Sequence, residues 1–295
     1  MKFLSTVTAV TSALAIICAD SASAKFGFGI PWGADNRWAK NIPDGVISWY
    51  HHWQMGYVPE MPKDVEYVPT FWGPQKYLDW EFRKAEISKF NSSHILAFNE
   101  PDVASQANLD PKTAAHLWMK ELQPYALKGK NVSSPQMVYN MDWLEEFMDE
   151  CSNCKIGFMA LHWYGSYKDM DKFKAWVQNV HQKFKLPVWV TEFGITSASN
   201  PSQQQVNDFA SEAIQWLEAQ DYVERAAWNG GYDVSNPPDD YATPLNALFS
   251  NGGQFRSLAN VWLPQLSIKL AQRNHQRRGH SLHMVKRARV QELSA

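Results

Sequence analysis

The sequence lacks the features that mark several large classes of protein. Its formal net charge is only -2 over 295 residues, which argues against nucleic acid as a partner because neutralising phosphates requires a concentrated basic face. Beyond the N-terminal stretch, no segment reaches about 18 uninterrupted apolar residues, so no membrane span is expected. No Gly-rich phosphate loop follows the first predicted strand. The G-x-S-x-G motif of serine esterases and the H-E-x-x-H motif of metalloproteases are also absent.

The N-terminal stretch has the pattern of a secretory signal peptide. Lys2 supplies a positive charge, and residues 3–18 are apolar or small, broken only by Ser and Thr. Residues 22–24, Ala-Ser-Ala, form a small-x-small cleavage site, so the mature chain is expected to start at Lys25. Residues 1–24 are therefore predicted to be a signal peptide, and the protein is predicted to be secreted and extracellular.

Cysteine is scarce: the chain has three, and Cys18 belongs to the predicted signal peptide. The remaining pair, Cys151 and Cys154, has the C-x-x-C spacing of a redox centre, half of a zinc site or a small structural disulfide. A zinc site needs two more ligands at matching spacing, and the sequence has no second Cys pair. An oxidising compartment favours the disulfide.

Aromatic residues are abundant, with 14 Trp, 15 Phe and 11 Tyr. Most of them are expected to fill a core. Several tryptophans, however, stand beside polar residues at the ends of predicted strands, where an indole ring can stack on a sugar. These are Trp32, Trp53, Trp72, Trp163 and Trp228. A core role is the alternative for each of them, and the more frequent one for Trp32, Trp53 and Trp72.

Short apolar runs alternate with longer amphipathic stretches along the chain, which predicts βαβ units and a parallel sheet. The predicted strands are 26–30, 45–50, 65–71, 94–98, 132–135, 156–163, 187–191 and 223–228. The predicted helices are 75–90, 111–127, 142–150, 169–184 and 202–219. Eight strands in a chain of this length fit a single (β/α)8 TIM barrel better than a doubly wound sheet. The first two βα units are expected to have short or irregular helices.

The composition changes after about Leu263, where basic residues accumulate without apolar periodicity. One barrel domain is therefore predicted for residues 25–262, followed by a disordered tail at 263–295. The alternative is a basic extension that adheres to anionic cell-wall or membrane surfaces.

Two glutamates follow predicted strands, and in a barrel the ends of the strands form the active-site face. Strand four runs into Asn99-Glu100-Pro101, and strand seven into Thr191-Glu192. Cleavage of a glycosidic bond needs one carboxyl to protonate the leaving oxygen and a second to attack the anomeric carbon. Pro101 is expected to hold Glu100 in an extended backbone. Either glutamate alone would more often be a solvated loop residue, so the specific signal is the pair.

Four segments in this order resemble glycoside hydrolase family 128, which includes fungal cell-wall proteins. They are Ala-Phe-Asn-Glu-Pro-Asp at 97–102, Cys-Ser-Asn-Cys-Lys-Ile at 151–156, Leu-His-Trp-Tyr-Gly at 161–165 and Trp-Val-Thr-Glu-Phe-Gly at 189–194. The resemblance runs from about residue 28 to about residue 257. It implies hydrolysis of β-1,3-glucan with retention, with Glu100 as acid/base and Glu192 as nucleophile. It also implies a disulfide between Cys151 and Cys154 and a location outside the cell or in the cell wall.

The same strand ends offer residues for substrate binding. Asn99 is expected to hydrogen-bond the sugar 2-hydroxyl, His162 to bind substrate or orient a glutamate, and Tyr164 to hydrogen-bond Glu192. The foremost candidates for stacking on sugar are Trp163 and Trp228, followed by Trp32, Trp53 and Trp72.

Together with the resemblance to family 128, which alone implies the β-1,3-glucan substrate, the sequence predicts a secreted, monomeric endo-1,3-β-glucanase. It is expected to need no metal or cofactor and to act on glucan polysaccharide or oligosaccharide. Glu192 is expected to be ionised through hydrogen bonds from its neighbours, and Glu100 to carry a proton before attack. One alternative is a catalytically inactive β-glucan-binding protein on the same fold. Another is hydrolysis of a β-1,4-glucan or a mannan by the same mechanism.

Overall fold

The structure is a computed structural model that describes residues 27–53 and 56–276. The predicted signal peptide and the end of the basic tail lie outside the described residues. Eight parallel strands form one sheet in the order β3-β2-β1-β8-β7-β6-β5-β4. The strands are β1 (Gly27–Pro31), β2 (Trp49–His51), β3 (Glu66–Val68), β4 (His94–Ile95), β5 (Asn131–Met137), β6 (Phe158–Gly165), β7 (Val188–Ile195) and β8 (Val223–Trp228).

A parallel bridge between Thr70 and Leu96 joins the chain after β3 to the chain after β4 and closes the sheet. The main-chain N–H of Phe71 donates to the carbonyl of Leu96 at 2.9 Å, and that of Leu96 donates to Pro69 at 2.9 Å. The predicted single (β/α)8 TIM barrel is therefore confirmed. β2, β3 and β4 are shorter than predicted, so the half of the barrel that carries this bridge is the less regular half.

Helices fill the connections from β3 onward. They are α1 (Tyr77–Phe90), α2 (Pro111–Glu121), α3 (Gln123–Leu127), α4 (Met141–Glu150), α5 (Met170–Phe184), α6 (Gln203–Glu218) and α7 (Ser257–Trp262). Asp110 caps α2 by accepting from the N–H of Thr113 at 2.9 Å, and Pro111 occupies its first turn. The predicted helix 111–127 is in fact two helices that meet at Leu122. After β1, a 3-10 helix at Asn36–Asn41 takes the place of a full helix.

The core has two layers on either side of the sheet. Inside the barrel, near the amino ends of the strands, the rings of Trp49, Phe158 and Trp189 pack together. Outside it, a larger apolar layer lies between the strands and the helices. With its amino end filled, the barrel leaves only the carboxyl ends of its strands open for a site.

The prediction of a disordered tail from residue 263 is wrong for residues 263–276. Residues 266–276 are helical, and Leu263 and Leu266 are fully buried. The guanidinium of Arg273 donates to the main-chain carbonyls of Lys40 and Asn41 at 3.1 and 3.3 Å. These two leucines and one arginine tie the segment to the barrel without the apolar periodicity that predicts a helix from sequence.

Cys151 and Cys154 form a disulfide at the end of α4, with their Cα atoms 5.1 Å apart. The disulfide expected for the C-x-x-C pair is thus present in the structure. Among the described residues, none of the helices combines the length and the apolar character needed to cross a membrane.

Candidate active site

Glu100 and Glu192 reach the same end of the barrel from different strands. Asn99 bridges to Gln136 after the end of β4, and the N–H of Glu100 donates to the carbonyl of Gln136 at 3.0 Å. Glu192 lies within β7, in register with His162 of β6. One side-chain atom from each of Glu100, His162 and Glu192 can be chosen so that all three lie within 4.8 Å of one another. The side chains of both glutamates are less than one-eighth exposed.

The backbone of Glu100 is left-handed, with φ of 47°. The expectation that Pro101 keeps this residue extended is therefore wrong. The carbonyl of Glu100 accepts from the N–H of Val103 at 3.1 Å, so a tight turn begins directly at the glutamate. A non-glycine residue in this conformation costs free energy, and such strain concentrates at functional sites.

His162 connects Glu100 to Gln136 in a chain of hydrogen bonds with a defined direction. The Nε2 of Gln136 donates to the carbonyl of Ala97 at 2.9 Å, which turns its Oε1 toward Nε2 of His162 at 3.3 Å. Nε2 of His162 must therefore carry a hydrogen. Nδ1 lies 2.8 Å from Oε1 of Glu100, so one proton is shared between the imidazole and the carboxyl.

The pKa of His162 reflects two opposing effects. Complete burial lowers it, but the charge of Glu192 and the hydrogen bond to Glu100 outweigh burial, so the pKa is raised. The shared proton is therefore held firmly beside Glu100.

Both oxygens of Glu192 accept hydrogen bonds. Oε1 accepts from the hydroxyl of Tyr164 and lies 3.4 Å from Nδ2 of Asn229, while Oε2 accepts from Nε1 of Trp53 at 2.7 Å. Burial raises the pKa of Glu192 and so does the neighbouring Glu100. The charge of His162 and the hydrogen bonds from Tyr164 and Trp53 oppose this rise without cancelling it. The carboxylate is thus desolvated but surrounded by donors, which suits a nucleophile.

A cleft of about 560 Å³ opens above this pair of carboxylates. Both glutamates line it, together with aromatic, amide and charged side chains from the segments that follow β2 to β8. These other residues include Trp53, Trp72, Lys76, Asn99, Gln106, Tyr139, Tyr164, Asn229, Asp239 and Tyr241. The polar and aromatic mixture is typical of a site that binds carbohydrate.

Residues 27–262 match the sequence model of the family described as "Glycosyl hydrolase catalytic core". The chain is also 31% identical to a solved GH128 subgroup III curdlan-specific exo-β-1,3-glucanase from Blastomyces gilchristii, over 80% of this chain and 97% of that one, with a TM-score of 0.65. The chain belongs to glycoside hydrolase family 128.

Two other similarities fit this family 128 membership. A GH128 subgroup I endo-β-1,3-glucanase from Amycolatopsis mediterranei, solved with laminaritriose, is 27% identical over 81% of this chain and 98% of its own, with a TM-score of 0.65. Alkali-sensitive linkage protein 1 of Schizosaccharomyces pombe is 29% identical over 250 residues, which are 80% of this chain. The match spans only 44% of the length of that yeast protein.

Trp53 and Trp72 are the two sequence-predicted tryptophans that line the family 128 cleft. The indole N–H of Trp53 contacts the nucleophile candidate directly. Trp72 has the ammonium of Lys76 at 3.8 Å from its ring centroid. One of its faces is therefore covered by a cation, which restrains the ring at the edge of the cleft.

The other three tryptophans lie in the core, so the expectation that they stack on sugar is wrong for them. Trp32 and Trp228 are fully buried, and Trp163 is 7% exposed and stacked on Phe209. The reason is strand parity: successive side chains point to opposite faces of a sheet. Because His162 and Tyr164 face the site, Trp163 between them faces the helices.

Sequence analysis missed several residues that the structure brings to the site. Asn229 and Gln136 contact the catalytic candidates, and Tyr139 and Tyr241 are exposed aromatic rings on the cleft wall. Tyr139 and Tyr241 come from loops, where periodicity gives no signal. At the end of β8 the sequence predicted Trp228 as a site residue, whereas the structure places the following residue, Asn229, in the site.

Asn99 lines the cleft beside Glu100, and its binding of the sugar 2-hydroxyl stays a prediction. Its Nδ2 donates to Gln106 at 3.3 Å, while its buried Oδ1 has no partner within the protein. An unsatisfied buried acceptor in the wall of a cleft is a natural point for a substrate hydroxyl. Both ring nitrogens of His162 are engaged in hydrogen bonds, so we describe the cluster as an acid–base site. The prediction that no metal or cofactor is needed stays a prediction.

Proposed function

We propose that this chain is a retaining glycoside hydrolase that cleaves β-1,3-glucan, with Glu100 as acid/base and Glu192 as nucleophile. The observation that carries the proposal is the pair of carboxylates, which meet within 4.8 Å in one cleft. Retaining enzymes hold their two carboxyl groups about 5–5.5 Å apart, whereas inverting enzymes leave roughly 6.5–9.5 Å for a water molecule. One oxygen of Glu100 and one of Glu192 lie within 4.8 Å of each other, which supports the closer arrangement of a retaining enzyme.

In the first step, Glu192 attacks the anomeric carbon while Glu100 gives its proton to the glycosidic oxygen. The bond from the anomeric carbon to that oxygen breaks, and a covalent glycosyl ester forms on Glu192. In the second step, Glu100 takes a proton from water as the water attacks the same carbon and releases Glu192. Burial of Glu192 removes the water shell that would weaken it as a nucleophile.

The chain from Gln136 through His162 supports both roles of Glu100. Because Gln136 fixes the hydrogen on Nε2, the imidazole can exchange only the Nδ1 proton with Glu100. Before the first step, this proton resides on the pair and is available to the leaving oxygen. After that step, the imidazole orients the Glu100 carboxylate toward the incoming water.

The substrate assignment is supported by the relatives of this chain. The proteins from Blastomyces gilchristii and Amycolatopsis mediterranei are both β-1,3-glucanases, one exo-acting and one endo-acting. The endo mode predicted from the sequence therefore stays a prediction. Comparing the fall in viscosity of a soluble β-1,3-glucan with its release of reducing ends tests it, since endo cleavage lowers viscosity first.

We also propose that the protein is exported, that it is located outside the cell or in the cell wall, and that it is a monomer. Export is supported by the signal-peptide pattern of residues 1–24 and by the disulfide of Cys151 and Cys154. N-terminal sequencing of the secreted protein tests cleavage before Lys25, and light scattering tests the monomer.

The deciding experiment is release of reducing sugar from laminarin and curdlan, with barley β-glucan, cellulose and mannan as controls. Wild type is compared with Glu100→Gln and Glu192→Gln. Release from the β-1,3-glucans that is lost in both variants supports the substrate class and the catalytic pair together. If folded wild type binds laminarin but releases no sugar from any substrate, the protein is a binding protein on a hydrolase fold.

A further inference from the structure

Asn229 stands directly after β8 and is 2% exposed. Its main-chain N–H donates to the carbonyl of Phe193 at 2.8 Å, which ties it to β7 one residue beyond Glu192. Its Nδ2 donates to the hydroxyl of Tyr164 and lies 3.4 Å from Oε1 of Glu192. A single amide therefore touches both the nucleophile candidate and the tyrosine that hydrogen-bonds it.

The contacts of this amide differ from those of an asparagine kept only for the fold. Asn246, which is also buried, satisfies both ends of its amide with the main-chain N–H and carbonyl of Ile195. The Oδ1 of Asn229, by contrast, has no partner within the protein. Turning the amide over would set Oδ1 against the carboxylate of Glu192, two acceptors in contact. The orientation with Nδ2 toward Tyr164 and Glu192 is thus the consistent one.

The direction of the hydrogen bond between Tyr164 and Glu192 follows from Asn229. A tyrosine hydroxyl has one hydrogen, and its oxygen here already accepts from Nδ2 of Asn229. Its hydrogen is left for Oε1 of Glu192. Burial and the charge of Glu192 raise the pKa of Tyr164 well above its usual range, so the hydroxyl keeps that hydrogen.

We propose that Asn229 is a positioning residue: it fixes Tyr164 as a donor to Glu192 and so stabilises the ionised nucleophile before attack. This inference rests on the proposed function, in which Glu192 is the nucleophile. Other titratable groups also bear on Glu192 from the elements around it. They are Glu100 after β4, His162 on β6 and Tyr232 after β8. His51 on β2 lies 2.9 Å from the carbonyl of the neighbouring Thr191.

The first test is a pH profile of kcat/KM on laminarin for wild type and Asn229→Ala. Loss of hydrogen bonds to the charged form raises the pKa of a carboxyl. We expect the acid limb of the profile to move up by about one pH unit and kcat/KM at its plateau to fall roughly tenfold. An acid limb that stays at the wild-type pH would overturn the inference.

The second test asks whether Asn229 acts through Tyr164. In a Tyr164→Phe background, Asn229→Ala should cost no more than about threefold in kcat/KM, since the hydroxyl that it orients is gone. Equal losses in both backgrounds would show that the two residues act independently and would contradict the proposal. Asn246→Ala is the matched control: it should lower the melting temperature and leave the acid limb in place.

Two further measurements keep the inference separate from folding and from the choice of substrate. Asn229→Asp keeps the side-chain volume but replaces the donor with an acceptor, so it should move the acid limb further up than Asn229→Ala does. Carbon-13 NMR of labelled glutamate carboxyls, with Glu192 assigned through Glu192→Gln, follows the titration without any substrate. If wild type hydrolyses no glucan, the proposed function fails. An unchanged Glu192 titration in Asn229→Ala would instead refute the role of Asn229.

Discussion

The two ends of the barrel hold the same kinds of residue in opposite electrostatic settings. At the carboxyl end, Glu100, His162 and Glu192 surround the cleft. At the amino end lies a second set that we call the basal cluster: Glu66 of β3, His94 of β4, Trp189 of β7 and Arg225 of β8. Each end thus combines glutamate, histidine and tryptophan, but only the basal cluster contains an arginine.

In the basal cluster, every charge has a partner. Oε1 of Glu66 lies 3.0 Å from Nδ1 of His94, and its Oε2 lies 2.8 Å from the guanidinium of Arg225. That guanidinium stacks 4.2 Å from the ring centroid of Trp189. An ion pair with this degree of burial holds several strands together.

The pKa directions express the contrast between the two ends. Burial alone would raise the pKa of Glu66, but His94 and Arg225 lower it to about 2. Glu192 is also buried, yet it faces a second carboxyl and its pKa is raised. Burial raises the pKa of both glutamates. His94 and Arg225 outweigh it at Glu66, whereas at Glu192 the charge of His162 and the hydrogen bonds do not.

The largest effect should come from Glu192→Gln. Removing the proposed nucleophile should lower kcat/KM on laminarin on the order of 10⁴-fold. The stability of this variant, by contrast, should be unchanged or higher than that of wild type. A carboxyl whose pKa is raised on folding costs stability once the pH rises through that pKa, so at pH 7 the variant should melt at the same or a higher temperature.

Thermal unfolding at pH 7, measured beside the kinetic assay, checks both parts of this expectation. The control is Glu66→Gln, which should keep activity at 25 °C and lose stability. If Glu192→Gln unfolded at a clearly lower temperature than wild type, Glu192 would stabilise the fold as Glu66 does, and the contrast between the two ends of the barrel would be wrong.

The second effect in size concerns His162→Gln. We expect kcat/KM to fall about 100-fold, because Glu100 loses the group that holds its proton and orients it. The positive charge beside Glu192 is lost as well, so the pKa of Glu192 should rise and the acid limb should move to higher pH. The alkaline limb should move down, and the active pH range should narrow from both sides.

His181→Gln is the matched control for this variant, since His181 lies on α5, where its ring contacts the carbonyl of Leu186 and stacks on Tyr222. Its pH profile should overlay that of wild type. A profile of His162→Gln that is lower but unchanged in width would contradict the shared-proton arrangement.

The third effect is on stability and belongs to the basal cluster. With a folded pKa of about 2 against an ordinary value of 4.5, Glu66 should contribute about 2 kcal/mol at pH 7 after allowance for its partial exposure. This contribution is present above pH 4.5 and is lost as the pH falls toward 2. Urea unfolding of Glu66→Gln should therefore show a deficit at pH 7 that shrinks steadily below pH 4.5.

Glu81→Gln serves as the control for Glu66→Gln. Glu81 is paired with Lys84, but it is about half exposed, so its removal should change stability by less than about 0.5 kcal/mol. A deficit of Glu66→Gln that stays constant from pH 7 to pH 3 would mean that packing, and not charge, accounts for the loss.

The sequence predicted the barrel and both glutamates because these depend on local patterns. An apolar run that ends in Asn99-Glu100, or in Thr191-Glu192, can be recognised as a strand followed by a glutamate without knowledge of the fold. The side of a strand on which a residue lies is not. A shift of one position separates Trp163 in the core from Tyr164 in the cleft, and parity is set by how the sheet closes.

Long-range partners were the other information missing from the sequence. The sequence predicted a solvated tail for residues 263–276, because their local pattern does not indicate that Leu266 is fully buried against the barrel. The left-handed backbone of Glu100 has the same origin, since its N–H bonds to Gln136, 36 positions along the chain.

The smallest effect compares two tryptophans that make the same bond at opposite ends. Nε1 of Trp53 donates to Glu192 at 2.7 Å, and Nε1 of Trp189 donates to Glu224 at 2.9 Å. Trp53→Phe should lower kcat/KM roughly tenfold and raise the acid limb, because Glu192 loses a donor to its charged form. Trp189→Phe should lower the melting temperature with kcat/KM unchanged. Both variants lose a hydrogen bond from an indole N–H to a glutamate. Equal effects on activity would therefore show that the position of the indole donor in the barrel does not decide its role.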